Sequence, residues 1–300
     1  GVGELDTVLG GLTAAGASDK VGWKVSLGYY EQEAYPRPTG SIPGTESPLD
    51  PDGTEYPEFE NRGTEQPKVD LRLDYDVSTD STWRFSGGYA GTDGMVHSGI
   101  GPFDIDDKAE MTYGKVDFNR KAFQVSLYTN LLEGAATNLL AFDTMGQPLV
   151  FDFQSDTYNL GFTNTSILGS SHILTYGGNA RKNEFDLSIA PGGDERNEWG
   201  VFLQDEILLG EKFRWVIGGR YDDIDPIDGV FSPRTTLLFS PSPDHTFRVS
   251  YNEAFRSPSM VNNYLEVVIL NQVCLAPLPD GSCALPYIFP SLAGVLAAVI

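Results

Sequence analysis

The segment KVDLRLDYDV, residues 68–77, alternates without a lapse: Val69, Leu71, Leu73, Tyr75 and Val77 share one side, and Asp70, Arg72, Asp74 and Asp76 share the other. Successive side chains point to opposite faces of a strand, whereas a helix would scatter these charges over its whole circumference. The segment is therefore a strand with one apolar and one charged face. The same period returns in KFRWVIGGRY (212–221), where Phe213, Trp215, Ile217 and Tyr221 oppose Arg214, Arg220 and two glycines. TFRVSYN (246–252) sets Phe247, Val249 and Tyr251 against Arg248, Ser250 and Asn252. GWKVSLGYY (22–30) sets Trp23, Val25, Leu27 and Tyr29 against Lys24, Ser26, Gly28 and Tyr30.

Working outward from these, the pattern predicts twelve strands, at 4–14, 21–34, 68–78, 82–95, 108–119, 121–133, 150–163, 171–186, 196–208, 212–224, 230–240 and 245–255. Many exceed the five or six residues usual in globular sheets. They suit the roughly 9–11 residues that a tilted strand needs to cross a bilayer. Tight turns near 15–20, 79–81, 119–121, 164–170, 209–211 and 241–244 alternate with longer links at 35–67, 96–107, 134–149, 187–195 and after 255; only 223–229 is a short member of the second class. Short periplasmic turns and long extracellular loops alternate in this way in outer-membrane barrels. The expected fold is thus all-β, an antiparallel up-and-down transmembrane barrel wall with long extracellular loops. A soluble sandwich with core aromatics is the rival.

Cost decides which face meets lipid. An Arg or Lys facing the bilayer midplane costs about 2–4 kcal/mol, so Arg72, Arg214, Arg220 and Arg248 are expected to line a polar lumen and the apolar set to face out. Trp23, Tyr29, Trp83, Tyr89, Trp199, Trp215 and Tyr221 fall near strand ends, where aromatic girdles form.

Composition agrees. The 300 residues carry 20 Lys+Arg against 42 Asp+Glu, a net charge of −22, which disfavours nucleic acid as a partner because phosphate contacts need clustered cations. Hydrophobic residues at 40% argue against disorder. No run of about 18 apolar residues is present to form a transmembrane helix.

Little in the sequence points to catalysis. His97, His172 and His245 stand apart, without metal-ligand spacing, and no serine sits in a Gly-x-Ser-x-Gly elbow. Neither an enzyme nor a cofactor or metal site is expected. Asp222, Asp223, Asp225 and Asp228 form an acidic run that reads as a solvated loop or, less simply, a calcium site. The doublets Gly87-Gly88, Gly177-Gly178 and Gly218-Gly219 suggest curvature of the wall or close approach of an internal segment. Cys274 and Cys283 enclose a Pro-Asp-Gly turn and, in an exported protein, are expected to form a loop-closing disulfide.

The stretch NEWGVFLQDEILLGEKFRWVIGGRYDDID, followed by FSPRTTLLFSPSPDHTFRVSYNEAFRSPS, resembles the barrel of TonB-dependent outer-membrane receptors. The matching elements are Gly200, Phe202, Gln204 and Asp205; then Gly219, Arg220, Tyr221 and Asp222; then Ser232, Pro233 and Arg234; and last Ala254, Phe255, Arg256, Pro258 and Ser259. The resemblance extends over about 4–259. It implies a bacterial outer-membrane barrel of about 22 strands, plugged inside, that imports iron-siderophore complexes, haem, cobalamin or carbohydrate with energy passed from TonB through the plug. Against that plan the chain is expected to lack the plug and Ton box, with 1–259 forming about the second to thirteenth strands and 260–300 an extracellular loop and truncated tail. The alternation of links agrees, since it places both ends of the twelve-strand run outside. A passive porin-like barrel of twelve strands and a secreted glycan-binding sandwich are the alternatives.

Overall fold

The computed structural model describes residues 1–45, 51–98, 101–142, 147–266, 272–274 and 286–288. Twelve strands form one sheet in sequence order: β1 Val8–Ala17, β2 Val21–Gln32, β3 Thr64–Ser78, β4 Ser81–Ser98, β5 Gly101–Arg120, β6 Phe123–Phe142, β7 Pro148–Leu168, β8 His172–Leu187, β9 Glu195–Leu209, β10 Phe213–Ile224, β11 Ile227–Ser242 and β12 His245–Asn252. Every neighbouring pair is antiparallel, as tight turns require. A short helix, α1 Met260–Tyr264, follows, and β13 Gln272–Cys274 pairs separately with β14 Pro286–Ile288.

Register carries the alternation across the whole sheet, because residues directly opposite in a ladder point the same way. Leu73 stands opposite Trp23 and Phe85, and Tyr75 opposite Val21 and Trp83. Trp215 stands opposite Ile207 and Leu237. On the other face Arg72 meets Lys24 and Ser86, and Arg220 meets Phe202 and Ser232. Leu71, Leu73, Tyr75, Trp215 and Ile217 therefore share the apolar side, and Arg72, Asp74 and Arg220 the polar side, as the alternation requires.

Burial shows which side is concave. Asn159, Asn183, Asp222 and Thr236, all on the polar face, are only 5–8% exposed, whereas Leu71 is 48% and Leu203 54% exposed on the apolar face. In a single sheet, side chains crowd together on the concave side and splay apart on the convex side. The polar face is thus the inside of a curved wall. Outward aromatics gather at two heights. Trp83 packs on Phe118 (4.7 Å between centroids) and Phe213 on Phe239 (4.6 Å) near the tight turns, and Trp199 packs on Tyr221 (5.6 Å) near the longer connections. Two belts of rings at the rims of an apolar band suit a membrane with interfaces on both sides.

Three expectations are corrected. The links expected at 96–107 and 134–149 are mostly strand: β4 and β5 stay paired to Ser98↔Gly101, and β6 and β7 to Phe142↔Pro148. Their alternation fades, yet the backbone ladder resumes beyond register shifts at Thr92/Gly94 and Asn138/Phe142. At the start, Leu5 and Asp6 adopt left-handed backbone (φ 56° and 46°), and Gly3 and Thr7 close a turn (Gly3 N–H to Thr7 C=O, 2.9 Å), so the first strand begins at Val8 rather than residue 4. At the other end β12 stops at Asn252. The sheet is open: β1 and β12 are its edges, and among the described residues they do not pair with each other. That arrangement argues against the self-contained twelve-strand porin.

The glycine doublets straddle the wall, one glycine to each face. One glycine of each doublet lies under a neighbouring ring, while Gly218 meets the Leu203 carbonyl instead. Phe202 covers Gly177, where an added methyl would sit 2.8 Å from the ring, and Phe231 covers Gly219 at 2.5 Å. Only a residue without Cβ leaves room for a cross-strand aromatic to lie down on the sheet.

Candidate functional site

The lumenal face is the candidate site, and its charges are arranged in a simple way. Residues i and i+2 on a strand share a face and stand close enough for an Arg to reach an acid. Arg72 uses this spacing to bind Asp74 (Nε to Oδ2, 2.7 Å), and Arg84 from the next strand donates to the same carboxylate (2.8 Å). Arg196 binds Glu198 (Nε to Oε1, 2.7 Å), and Lys115 pairs with Asp117 (3.1 Å). Arg220 binds Asp222 (Nε to Oδ2, 2.7 Å) and donates to Asn179 Oδ1 (2.6 Å) two strands away. Arg181 reaches the Tyr128 hydroxyl (2.9 Å), and Tyr113 donates to Asp70. Ties along the strands and across them make the lumenal face a polar, hydrogen-bonded lining.

The structure sorts the motif residues by face. Gly200, Phe202 and Gln204 on β9, Arg220 and Asp222 on β10, and Ser232 and Arg234 on β11 all point inward by register. Gly200 leaves room there for the Arg220 guanidinium and the Asp222 carboxylate, which a side chain at this position would displace. Phe202, Gln204, Arg220 and Arg234 join Arg248 and Asn252 of β12 around a groove of about 670 Å³. Asp205, Tyr221 and Pro233 face outward instead. Phe255, Arg256 and Pro258 lie beyond β12, where the Pro258 carbonyl accepts a hydrogen bond from Arg196 Nη1 (3.0 Å).

One partnership is absent from the sequence reading. His172, read as isolated, lies 2.6 Å through Nδ1 from Asp205 Oδ2 on the outward face, near the turn end of the wall. The two stand on β8 and β9 with 32 residues between them, so only register reveals the pair. The acidic run divides rather than converging: Asp222 turns inward to Arg220, Asp223 faces outward, and Asp225 accepts from the Asn197 N–H (3.3 Å). Among the described residues no group of three or more His, Cys, Asp or Glu is placed to hold a metal ion. The expected Cys274–Cys283 disulfide involves Cys283, which lies outside the described residues.

The model of the TonB-dependent receptor-like β-barrel matches residues 9–281. The chain belongs to that family. Its members are transporters of the bacterial outer membrane, not enzymes. No curated protein matches. Among solved structures, the siderophore receptor PirA from Pseudomonas aeruginosa is 12% identical, with a TM-score of 0.59 over 84% of this chain and 40% of PirA. The FrpB iron transporter from Neisseria meningitidis is 15% identical, with a TM-score of 0.59 over 85% of this chain and 44% of its own. The copper transporter OprC is 14% identical, with a TM-score of 0.63 over 86% of this chain and 44% of OprC. At these identities the likeness is one of fold. The chain spans less than half the length of each of these receptors.

Proposed function

We propose that this TonB-dependent receptor barrel serves active uptake of a scarce nutrient across the outer membrane: an iron-siderophore complex, haem, cobalamin or a carbohydrate. The observation that carries the reading is the two-faced wall, with apolar and aromatic residues outside and a polar lining inside, in a chain of this family. Solved receptors of the same fold bear siderophore, iron and copper names, which favours metal-bearing cargo. In this reading residues 1–259 build the wall and 260–300 belong to an extracellular segment. TonB acts through a plug domain inside the barrel, and the small-molecule ligand enters from the loop side.

Uptake measured in cells tests this. Cells producing the protein should accumulate one of labelled ferric siderophore, haem, cobalamin or oligosaccharide, and a protonophore should abolish the accumulation. Uptake that persists undiminished with the proton gradient collapsed would replace energy coupling with passive diffusion.

A further inference from the structure

Polar side chains on a lipid-facing wall are costly, and most of the outward face avoids them. Every outward residue from Val69 to Tyr75 on β3 and from Trp83 to Tyr89 on β4 is apolar, aromatic or glycine. The tight-turn end of β7–β9 differs. There Asn164 and Ser166 of β7, His172 and Tyr176 of β8 and Asp205 of β9 share the outward face by register. They form one island. Leu174 stands at its centre, opposite Ser166 on one side and Asp205 on the other, with His172 and Tyr176 two residues away along its own strand. Apolar side chains enclose the island: Phe162, Leu168, Leu203 and Ile217, at neighbouring outward positions, are 41–54% exposed.

The hydrogen bonds inside the island leave donors over rather than acceptors. Asn164 Nδ2 donates to Ser166 Oγ (3.1 Å) and to Tyr176 Oη (2.9 Å). An amide nitrogen has two hydrogens, so both are spent, and each hydroxyl that receives one keeps its own hydrogen to give. Beside them His172 Nδ1 lies 2.6 Å from Asp205 Oδ2, while Asp205 Oδ1 is sealed beneath the surface without a partner. A carboxylate with one oxygen taken and the other covered is closed to an ammonium arriving from the membrane. It holds instead the imidazole, whose side chain is 45% exposed and carries Nε2 on the edge away from the acid.

We propose that this island is a phospholipid headgroup site in the leaflet on the tight-turn side, the lipid phosphate accepting hydrogens from the Ser166 and Tyr176 hydroxyls, with His172 beside it toward the turn. A phosphodiester oxyanion only accepts, and so complements a set of donors. Ser166 Oγ and Tyr176 Oη both lie within 3.1 Å of one nitrogen, so a single phosphate reaches the two. The acyl chains then run over Phe162 and Leu203 toward the middle of the membrane. This site is independent of which nutrient the receptor carries.

The test is native mass spectrometry of the detergent-extracted protein titrated with palmitoyl-oleoyl phosphatidylethanolamine, with the matching phosphatidylglycerol, and with the matching diacylglycerol, which lacks the phosphate. Both phospholipids should bind about tenfold or more tighter than the diacylglycerol. The double variant Ser166→Ala/Tyr176→Phe should remove that advantage, and His172→Phe should reduce it about threefold or more. Tyr158→Phe, which deletes an outward hydroxyl toward the other rim of β7, should keep it within about twofold. Heat-modifiable gel mobility shows that each variant is folded. Equal binding of phospholipid and diacylglycerol, or phospholipid binding unchanged in the folded double variant, would overturn the site. Displacement of the lipid by millimolar inorganic phosphate would overturn it too, by assigning the donors to a free anion.

Discussion

The early and late hairpins of this wall handle the same chemistry differently. On β2–β4 Asp74 is shared by Arg72 and Arg84, and a glycine such as Gly28 has ordinary room: a methyl there would sit 3.6 Å from Lys68 Cβ. On β9–β10 Arg220 and Asp222 crowd against Gly200, and Asp222 is 7% exposed. Pattern alone makes a barrel wall. Crowding around a charged pair makes part of that wall less tolerant of change.

The largest effect should come from breaking the distinction of faces that both regions share. Leu71→Arg puts a charge into lipid and should cost about 2–4 kcal/mol, whereas Ser86→Arg, one strand away on the lumenal side, should be close to neutral. Denaturant unfolding in lipid vesicles measures both. Next, Gly200→Val should cost about 1–3 kcal/mol by driving a side chain into the Arg220–Asp222 pair, while Gly28→Val in the early hairpin should be tolerated. Equal losses from the two would erase the contrast between the regions. Asp222→Asn should then cost about 1–2 kcal/mol, because it weakens charged hydrogen bonds in a crowded setting. The smallest change belongs beyond the girdle, where Lys182 joins Glu184 (2.7 Å) and Glu195 (3.3 Å) in the open. Lys182→Gln there should leave the unfolding midpoint unchanged.

Much of this architecture is legible in the sequence because lipid enforces it residue by residue. Arg72 beside Leu71 admits only one orientation of the strand, and the same logic places Arg220 and Trp215. The i, i+2 pairs Arg72–Asp74, Arg196–Glu198 and Arg220–Asp222 can also be seen as Arg-x-Asp or Arg-x-Glu. Legibility ends where lipid does. In the projections after residues 96 and 134 register shifts break the alternation, and the strands hide in what looks like loop. The groove is hidden for another reason. Gln204, Arg220, Arg234 and Arg248 come from four strands, and only the register between strands sets them side by side. His172 and Asp205 meet for the same reason.

The projecting hairpins also bear on how strongly the outer rim can hold a ligand. A loose loop of similar length surrenders about 1–2 kcal/mol of backbone entropy for each residue that binding immobilises. In β4–β5 and β6–β7 much of that freedom was already lost on folding, since the ladders resume beyond their register shifts and reach Ser98↔Gly101 and Phe142↔Pro148. Side chains along these ribbons therefore meet an arriving molecule from fixed positions, and little of the contact energy they make is spent on ordering the rim itself.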